Sequence, residues 1–288
     1  MSPNRPPVSP SRELRSKTSK IVSPPPAQTI FNEIVHKIPT IRSFTELVFD
    51  DIPPEDGNLI CRSLAASAVV EQSKARVNYN SRTKTLWVRI MPTELHDVHQ
   101  RWVRYTTFSQ WQATGILDAA EDKLLDMGVG TGFDTFTGPY VLSSKEPDFF
   151  LRPDTNDLPL IVIESGWSES WPRLHCDKDL WLNGSSEVNV VILLMWSKIS
   201  NNRAKGMAEV WRRSGGDGGL IVCKKVIFPA PNPAPAPGTD VILLSRGEIF
   251  GQHVLPGRHP ADLFFLDLED LRNFAQERMT KKMGLTPA

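Results

Sequence analysis

An almost continuous apolar run, EVNVVILLMW at residues 187–196, is the sequence feature that most restricts the fold. It is rich in β-branched residues, which is typical of a strand buried on both faces of a sheet. Such a strand needs cover on each side, so the run predicts a layered domain with helices packed on a sheet. With 288 residues and 40% hydrophobic content, the chain can bury one large core or two small ones.

Apolar periodicity predicts the elements around this strand. Leu86, Val88 and Ile90 alternate with other residues, which predicts a half-buried strand in a hairpin with the preceding RVNY segment. Further strands are predicted at 139–142, 147–151, 159–164, 207–213, 219–228 and 240–246, the last three antiparallel. Helices are predicted at 94–112, with Leu95, Val98, Trp102 and Tyr105 inward, at 171–182, and at 267–283.

These elements predict an α/β (α+β) fold with a mixed central sheet flanked by helices. Residues 1–27 are rich in Pro, Ser and basic residues and predict a disordered tail. Residues 28–288 are expected to form a single domain. Its core covers about 76–200, and an antiparallel β-rich extension with a C-terminal helix covers 201–288.

Composition restricts the partners and the compartment. The 33 basic and 33 acidic residues cancel, so any contact with nucleic acid must use a local patch. The start of the chain lacks a signal-peptide core, and no run reaches the roughly 18 apolar residues of a membrane span. Three scattered cysteines without a CxxC pair indicate a reducing compartment, and an intracellular protein of the cytoplasm or nucleus is expected.

Two carboxylates carry the chemical prediction. Asp148 starts one predicted strand and Glu164 ends the next, so antiparallel pairing would bring them together at one end of the sheet. Asp154 competes with Asp148 but lies in the loop between the strands. One or two carboxylates are the usual protein ligands of Mg²⁺, which can activate water for phosphodiester hydrolysis.

The order and spacing of these residues resemble the PD-(D/E)xK superfamily of restriction-endonuclease-like proteins, in particular its uncharacterised bacterial and fungal members. The resemblance rests on Met91-Pro92 with His96, on Pro147-Asp148, on Glu164, and on Lys178 in the following helix. It implies a restriction-endonuclease-like core and a nuclease that acts on DNA or RNA. Asp148 and Glu164 would then hold Mg²⁺ (or Mn²⁺), and His96 would assist at the rim.

The chain departs from this family at Gly166, where the pattern has a lysine two residues after the glutamate. Lys178 lies in the middle of the predicted inward face of helix 171–182, so it can replace that lysine, or its stem can run along the core to water. His96 can likewise be a cap residue that faces solvent. Whether the chain is an enzyme is therefore left open. The alternative is an inactive nuclease-like domain that acts as a nucleic-acid or protein interaction module.

A third interpretation comes from DKLLDMGVGTGFDTF at 122–136, a short strand followed by a glycine cluster. This pattern is similar to the first motif of S-adenosylmethionine-dependent methyltransferases, in which a helix follows the glycines at once. Here Gly138 and Pro139 stand where that helix would continue, which favours a plain loop beside the strand of Asp148.

Overall fold

The computed structural model describes residues 26–91, 93–154, 156–213 and 219–288. The predicted tail over 1–27 thus lies outside the described residues up to residue 25, and Ala27 already belongs to the first helix. Pro92 of the sequence motif also lies outside them. In the described part of the chain, no helix combines the length and the apolar character needed to cross a bilayer.

Helices and strands alternate along much of the chain. The helices are α1 (Ala27–Lys37), α2 (Pro54–Ala65), α3 (Ala68–Ser73), α4 (Val98–Thr106), α5 (Ala119–Leu124), α6 (Trp171–Asn183), α7 (Arg246–Phe250) and α8 (Leu268–Arg278). The strands are β1 (Thr45–Phe49), β2 (Arg76–Asn80), β3 (Thr85–Ile90), β4 (Leu125–Gly128), β5 (Phe149–Pro153), β6 (Ile161–Trp167), β7 (Val190–Ile199), β8 (Arg203–Arg213), β9 (Leu220–Phe228), β10 (Val241–Ser245), β11 (Leu263–Asp267) and β12 (Thr286–Pro287).

The large sheet is mixed, with strand order β12-β8-β7-β6-β5-β4 and β9 also paired with β8. Strands β6 and β7 run parallel, while β4, β5 and β6 pair antiparallel, as do β7, β8 and β9. Strand β7 is buried on both faces, as predicted. Its Ile192 and Leu194 pack in one hydrophobic cluster with Trp102 of α4, and its Val191 and Leu193 pack in another with α6. The predicted mixed α/β architecture is confirmed.

A second, three-stranded antiparallel sheet, in the order β1-β3-β2, packs against α1 and α2. The β2–β3 hairpin was predicted from the sequence, whereas β1 and the helices before it were not. This small sheet is joined to the loop before β5, because Tyr79 exchanges backbone hydrogen bonds with Ser144 at 2.7 and 2.9 Å. The hairpin is thereby held against the start of β5, next to Asp148.

Two predicted elements are wrong. Residues 139–142 form no strand, because the position beside β5 is taken by β4 and Gly138–Tyr140 make a 3₁₀ turn. The helix predicted at 94–112 begins at Val98 and passes into a π turn at Thr107–Gln112. Tyr105, expected to face inward, is 43% exposed, while the other three residues of the predicted stripe are buried.

The other predicted elements agree with the structure. The helix at 171–182 is α6 and ends at Gly184. The three late strands are β8, β9 and β10, and β8 pairs antiparallel with β9 as expected, whereas β10 pairs with β11. The closing helix is α8 followed by a π turn at Met279–Met283.

The two-sided burial of β7 gives a prediction for stability. Ile192 has no exposed surface, so Ile192→Ala should lower the free energy of unfolding by about 2–5 kcal/mol through lost packing and a residual cavity. Urea unfolding measures this loss. The control is Lys198→Ala on the exposed part of the same strand, expected to change stability by about 0.5 kcal/mol or less. Equal losses for both variants would contradict the position given to β7.

Candidate functional site

Asp148 and Glu164 meet where β5 pairs with β6. Phe149 lies opposite Ile163 in this antiparallel pair. Asp148, which precedes Phe149, therefore lies opposite Glu164, which follows Ile163. The backbone N–H of Ser165 donates to Asp148 Oδ2 at 2.8 Å, which fixes this carboxylate against β6. Asp148 and Glu164 thus lie next to each other across the β5–β6 pair, and Asp154 is exposed beyond the end of β5.

Three cationic or imidazole side chains enclose Asp148, which is 1% exposed. Arg76 of β2 and Arg89 of β3 both donate to its Oδ1, the latter at 2.7 Å. His96 Nε2 lies 3.3 Å from Oδ2. Burial alone would raise the pKa of Asp148, but the neighbouring Arg89, His96 and Arg76 hold it well below its usual range. The carboxylate is therefore charged and fully partnered.

Glu164 is held by a lysine that sequence reasoning did not identify. Lys145 Nζ lies 3.0 Å from Glu164 Oε2 and 3.1 Å from Asp177 Oδ2, and the indole N–H of Trp181 donates to Glu164 Oε1 at 2.8 Å. All three charged side chains are buried. Burial raises the pKa of Glu164 to about 8 and also raises that of Asp177, against the opposing effect of Lys145. One ammonium group thus serves two buried carboxyl groups.

Trp87 of β3 underlies these charges. Its buried ring has Lys145 Nζ at 4.7 Å and the guanidinium carbons of Arg89 and Arg173 at 4.8 and 5.4 Å from the ring centre. An aromatic face attracts cations, which offsets part of the cost of desolvating them. Glu46 of β1 binds both arginines, with its Oε1 3.2 Å from Arg89 Nε. The small sheet therefore supplies Arg89 together with the ring and the carboxylate that support it, while Arg173 comes from α6.

The histidines of the 94–112 segment are both buried. His96 is 1% exposed, with its Nε2 2.5 Å from Arg89 Nη1 and its Nδ1 3.0 Å from Asp97 Oδ1, so it is no solvent-facing cap residue. It reaches Asp148 because the chain forms turns there and the helix starts only at Val98. His99 contacts the backbone oxygen of Asp148 at 3.1 Å through its Nε2, and burial lowers its pKa to about 4.

Lys178 is not brought to the carboxylates. It is 7% exposed, as its place on the inward stripe predicts, but its Nζ pairs with Asp179 and lies 4.3 Å from the ring centre of Trp211 on β8. Successive helix residues differ by about 100° in direction, so Asp177 faces Lys145 and the next residue faces β8. The prediction that Lys178 replaces the lysine expected at residue 166 is therefore wrong, because its Nζ does not lie at Asp148 and Glu164.

Gly166 has a packing reason. A Cβ at this position would collide with Ser170 Oγ and would lie 3.1 Å from Leu174 Cδ1, because the start of α6 folds back over β6. A side chain here would require Ser170 Oγ to leave the oxygen of Trp167, to which it donates, and Leu174 to shift, so glycine suits the close packing of α6 on β6.

The residues that sequence reasoning missed carry weak local signals. Lys145 stands three residues before Asp148, in a loop whose reach is not set by any periodicity. It is fixed by an isolated bridge to Phe133, with backbone hydrogen bonds of 2.8 and 2.9 Å. Arg89 alternates with apolar residues on β3, a pattern that predicts a half-buried strand, but β3 is covered on both faces and Arg89 is buried.

The carboxylates do not fit a divalent metal as they are arranged. Both oxygens of Asp148 and both of Glu164 already lie within hydrogen-bonding or ion-pairing distance of protein N–H or ammonium groups. Over the described ranges, no group of three or more His, Cys, Asp or Glu side chains is placed to hold a metal ion. A ligand set for Mg²⁺ needs free oxygen atoms, and here these are occupied by the chain's own donors.

A cleft of about 630 Å³ lies beside the buried charges. Arg76, Asp97 and Glu146 line it together with the glycine loop at Gly130 and Gly132. Arg76 Nε is 3.5 Å from Glu146 Oε1, and its Nη2 is 3.9 Å from Asp97 Oδ1. The guanidinium of Arg76 thus stands between the cleft and Asp148.

Comparison of the chain with protein-family models, with curated proteins and with solved structures gave no match.

Lys145 and Lys178 should differ in how much each contributes to stability. Lys145→Met should lower the free energy of unfolding by about 3–5 kcal/mol, because it leaves Glu164 and Asp177 buried without a cation. Lys178→Met is the matched control and should cost about 1 kcal/mol or less, since Asp179 is 41% exposed and can be hydrated. Urea unfolding of both variants tests this. A larger loss for Lys178→Met would contradict the assignment.

Glu164 should make stability fall as pH rises. Its folded-state pKa of about 8 exceeds its ordinary value of 4.5, so its contribution is complete below pH 4.5 and is lost as pH rises towards 8. Asp148 has the opposite shift, and its contribution is lost only as pH falls below 3.8, outside this range.

Glu164→Gln remains neutral, so the wild type should lose stability relative to this variant as pH rises from about 5 to about 8. Urea midpoints across that range give the comparison. Parallel pH profiles for the two proteins would show that Glu164 does not take up a proton on folding.

Proposed function

We propose that this chain is a restriction-endonuclease-like domain that does not hydrolyse nucleic acids and acts as an interaction module. The order of α4 and α5, then β4, β5, β6, α6 and β7, supports the family core, since it matches the predicted order of helix, three strands, helix and strand. In this order β4 occupies the place that was predicted for residues 139–142.

The observation that carries this proposal is the complete pairing of the two carboxylates by the chain itself. Asp148 is neutralised by arginines from β2 and β3, and the carboxyl group of Glu164 is bound by Lys145, with exposures of 1% and 0%. A substrate phosphate and an attacking water would need room where Arg76, Arg89 and Lys145 now lie. Removing one partner from a buried pair costs about 3–5 kcal/mol, so these cations oppose opening of the site.

The second candidate is a Mg²⁺- or Mn²⁺-dependent nuclease acting on DNA or RNA. It is favoured by one observation, the convergence of Asp148 and Glu164 with a lysine, although that lysine is Lys145. The methyltransferase alternative is not supported, because the segment 129–137 contains no helix after the glycines and ends in a 3₁₀ turn.

We place the protein in the cytoplasm or the nucleus. Cys61, Cys176 and Cys223 are all free thiols, which accords with a reducing compartment.

A cleavage assay separates the two candidates. We expect the purified chain, with Mg²⁺ or Mn²⁺, to leave single- and double-stranded DNA and RNA intact, because Asp148 and Glu164 offer no free oxygen to a metal. Gel electrophoresis of labelled substrates gives the readout.

The control is Glu164→Gln, prepared in the same way. Metal-dependent cleavage by the wild type that this substitution abolishes would establish the nuclease and overturn the proposal. Cleavage that survives the substitution would point to a contaminant or to another site on the chain, and in either case not to Asp148 and Glu164.

A further inference from the structure

The outer face of α4 and of the π turn after it carries exposed arginine and aromatic side chains together. Arg101, Arg104, Tyr105 and Phe108 follow each other at helical spacing on the side away from the core. Tyr105 and Phe108 are 43% and 54% exposed. With Arg278 they line a groove of about 560 Å³, here called the α4 groove.

Aromatic contacts order part of this surface. The guanidinium carbon of Arg101 lies 4.3 Å from the ring centre of Phe274, and the Tyr105 ring meets the same ring edge-on at 5.4 Å. Phe108 stands beyond them, without a ring partner among the described residues. This face thus presents the packed rings of Tyr105 and Phe274 next to the exposed ring of Phe108.

The charges of this face leave one arginine free. Arg101 pairs with Glu277 at 2.6 Å and Arg278 with Glu94 at 2.7 Å. Arg104 has no ion-pair partner in the part of the chain that the structure describes. Two carboxylates, those of Glu94 and Asp97, also line the groove. Glu94 is paired with Arg278, and Asp97 lies 3.0 Å from His96 Nδ1, so Arg104 is the arginine of the groove whose charge these groups leave uncompensated.

We propose that the α4 groove binds single-stranded nucleic acid. Single strands are held by cations along the phosphate backbone and by aromatic side chains on which unpaired bases stack. Phe108 and Tyr105 supply such rings, and Arg104 supplies a cation that no carboxylate of the described residues neutralises. Bases in a duplex already stack on each other, so a surface of this kind prefers a single strand. The inference rests on the proposed function, an interaction module, and names the partner and the surface that would bind it.

The buried side of α4 explains why Tyr105 is exposed. It is formed by Val98, His99, Trp102, Val103 and Thr106, and at about 100° per residue its centre lies well away from Tyr105. The π turn at Thr107–Gln112 then exposes Phe108 and buries Trp111.

The test is fluorescence anisotropy of the full chain with labelled oligo(dT) and oligo(rU) of about 15 nucleotides, without added divalent metal. Phe108→Ser should weaken binding at least about fivefold through loss of base stacking. Arg104→Gln should weaken binding and reduce the slope of log K against log salt by about 0.7, as expected for one lost phosphate contact on a single strand.

The matched control is the double substitution Leu59→Ser with Arg62→Gln on α2, where an apolar residue that is 58% exposed lies one helical turn from an exposed arginine. It should bind like the wild type, and thermal unfolding should show that all variants fold. Failure of both oligonucleotides to bind at low salt would overturn the inference. So would binding that the two α4 substitutions leave unchanged, which would locate it elsewhere on the chain or indicate that the groove takes a protein partner.

These outcomes are distinct from those of the cleavage assay. Absence of binding contradicts only the α4 groove, whereas metal-dependent cleavage lost in Glu164→Gln contradicts the proposed function whether or not the groove binds a strand.

Discussion

The ammonium group of Lys145, enclosed between Glu164 and Asp177, is the interaction on which the rest of the site depends. It joins the loop before β5 to β6 and α6, three elements that meet far from solvent. Charges buried in this way are costly unless every one is paired, and loss of one partner exposes the others to that cost. Lys145 therefore determines both how α6 lies on the sheet and why two carboxyl groups can stay in the core.

The arginines of the β2–β3 hairpin likewise pair with a buried carboxylate, and they do so from the small sheet. Arg76 and Arg89 reach Asp148 from β2 and β3, so the contact that neutralises the carboxylate also joins the two sheets. Ion pairs that hold a fold in this way cannot easily release their carboxylate to a metal. The residues that resemble a nuclease site are, on this account, used for structure, and interaction with a partner is left to the surface.

Much of the fold could be predicted from the sequence, because burial leaves a periodic signal. The run that forms β7, the hairpin of β2 and β3, and helix α6 all agree with their patterns. The convergence of Asp148 with Glu164 followed from strand ends alone. The lysine did not, since Lys145 lies in a loop where no period shows which way a side chain points. Lys178 was predicted to reach the carboxylates because it lies on the buried face of its helix, but burial alone does not determine which residues a side chain contacts.

A crystal structure of the chain soaked with Mn²⁺, with anomalous diffraction recorded, tests the central claim most directly. The account predicts Lys145 between Glu164 and Asp177, Arg76 and Arg89 on Asp148, and no anomalous peak beside either carboxylate. An Mn²⁺ ion bound by Asp148 and Glu164, with Arg76 displaced into the cleft, would contradict it and restore the metal-dependent nuclease as the better interpretation.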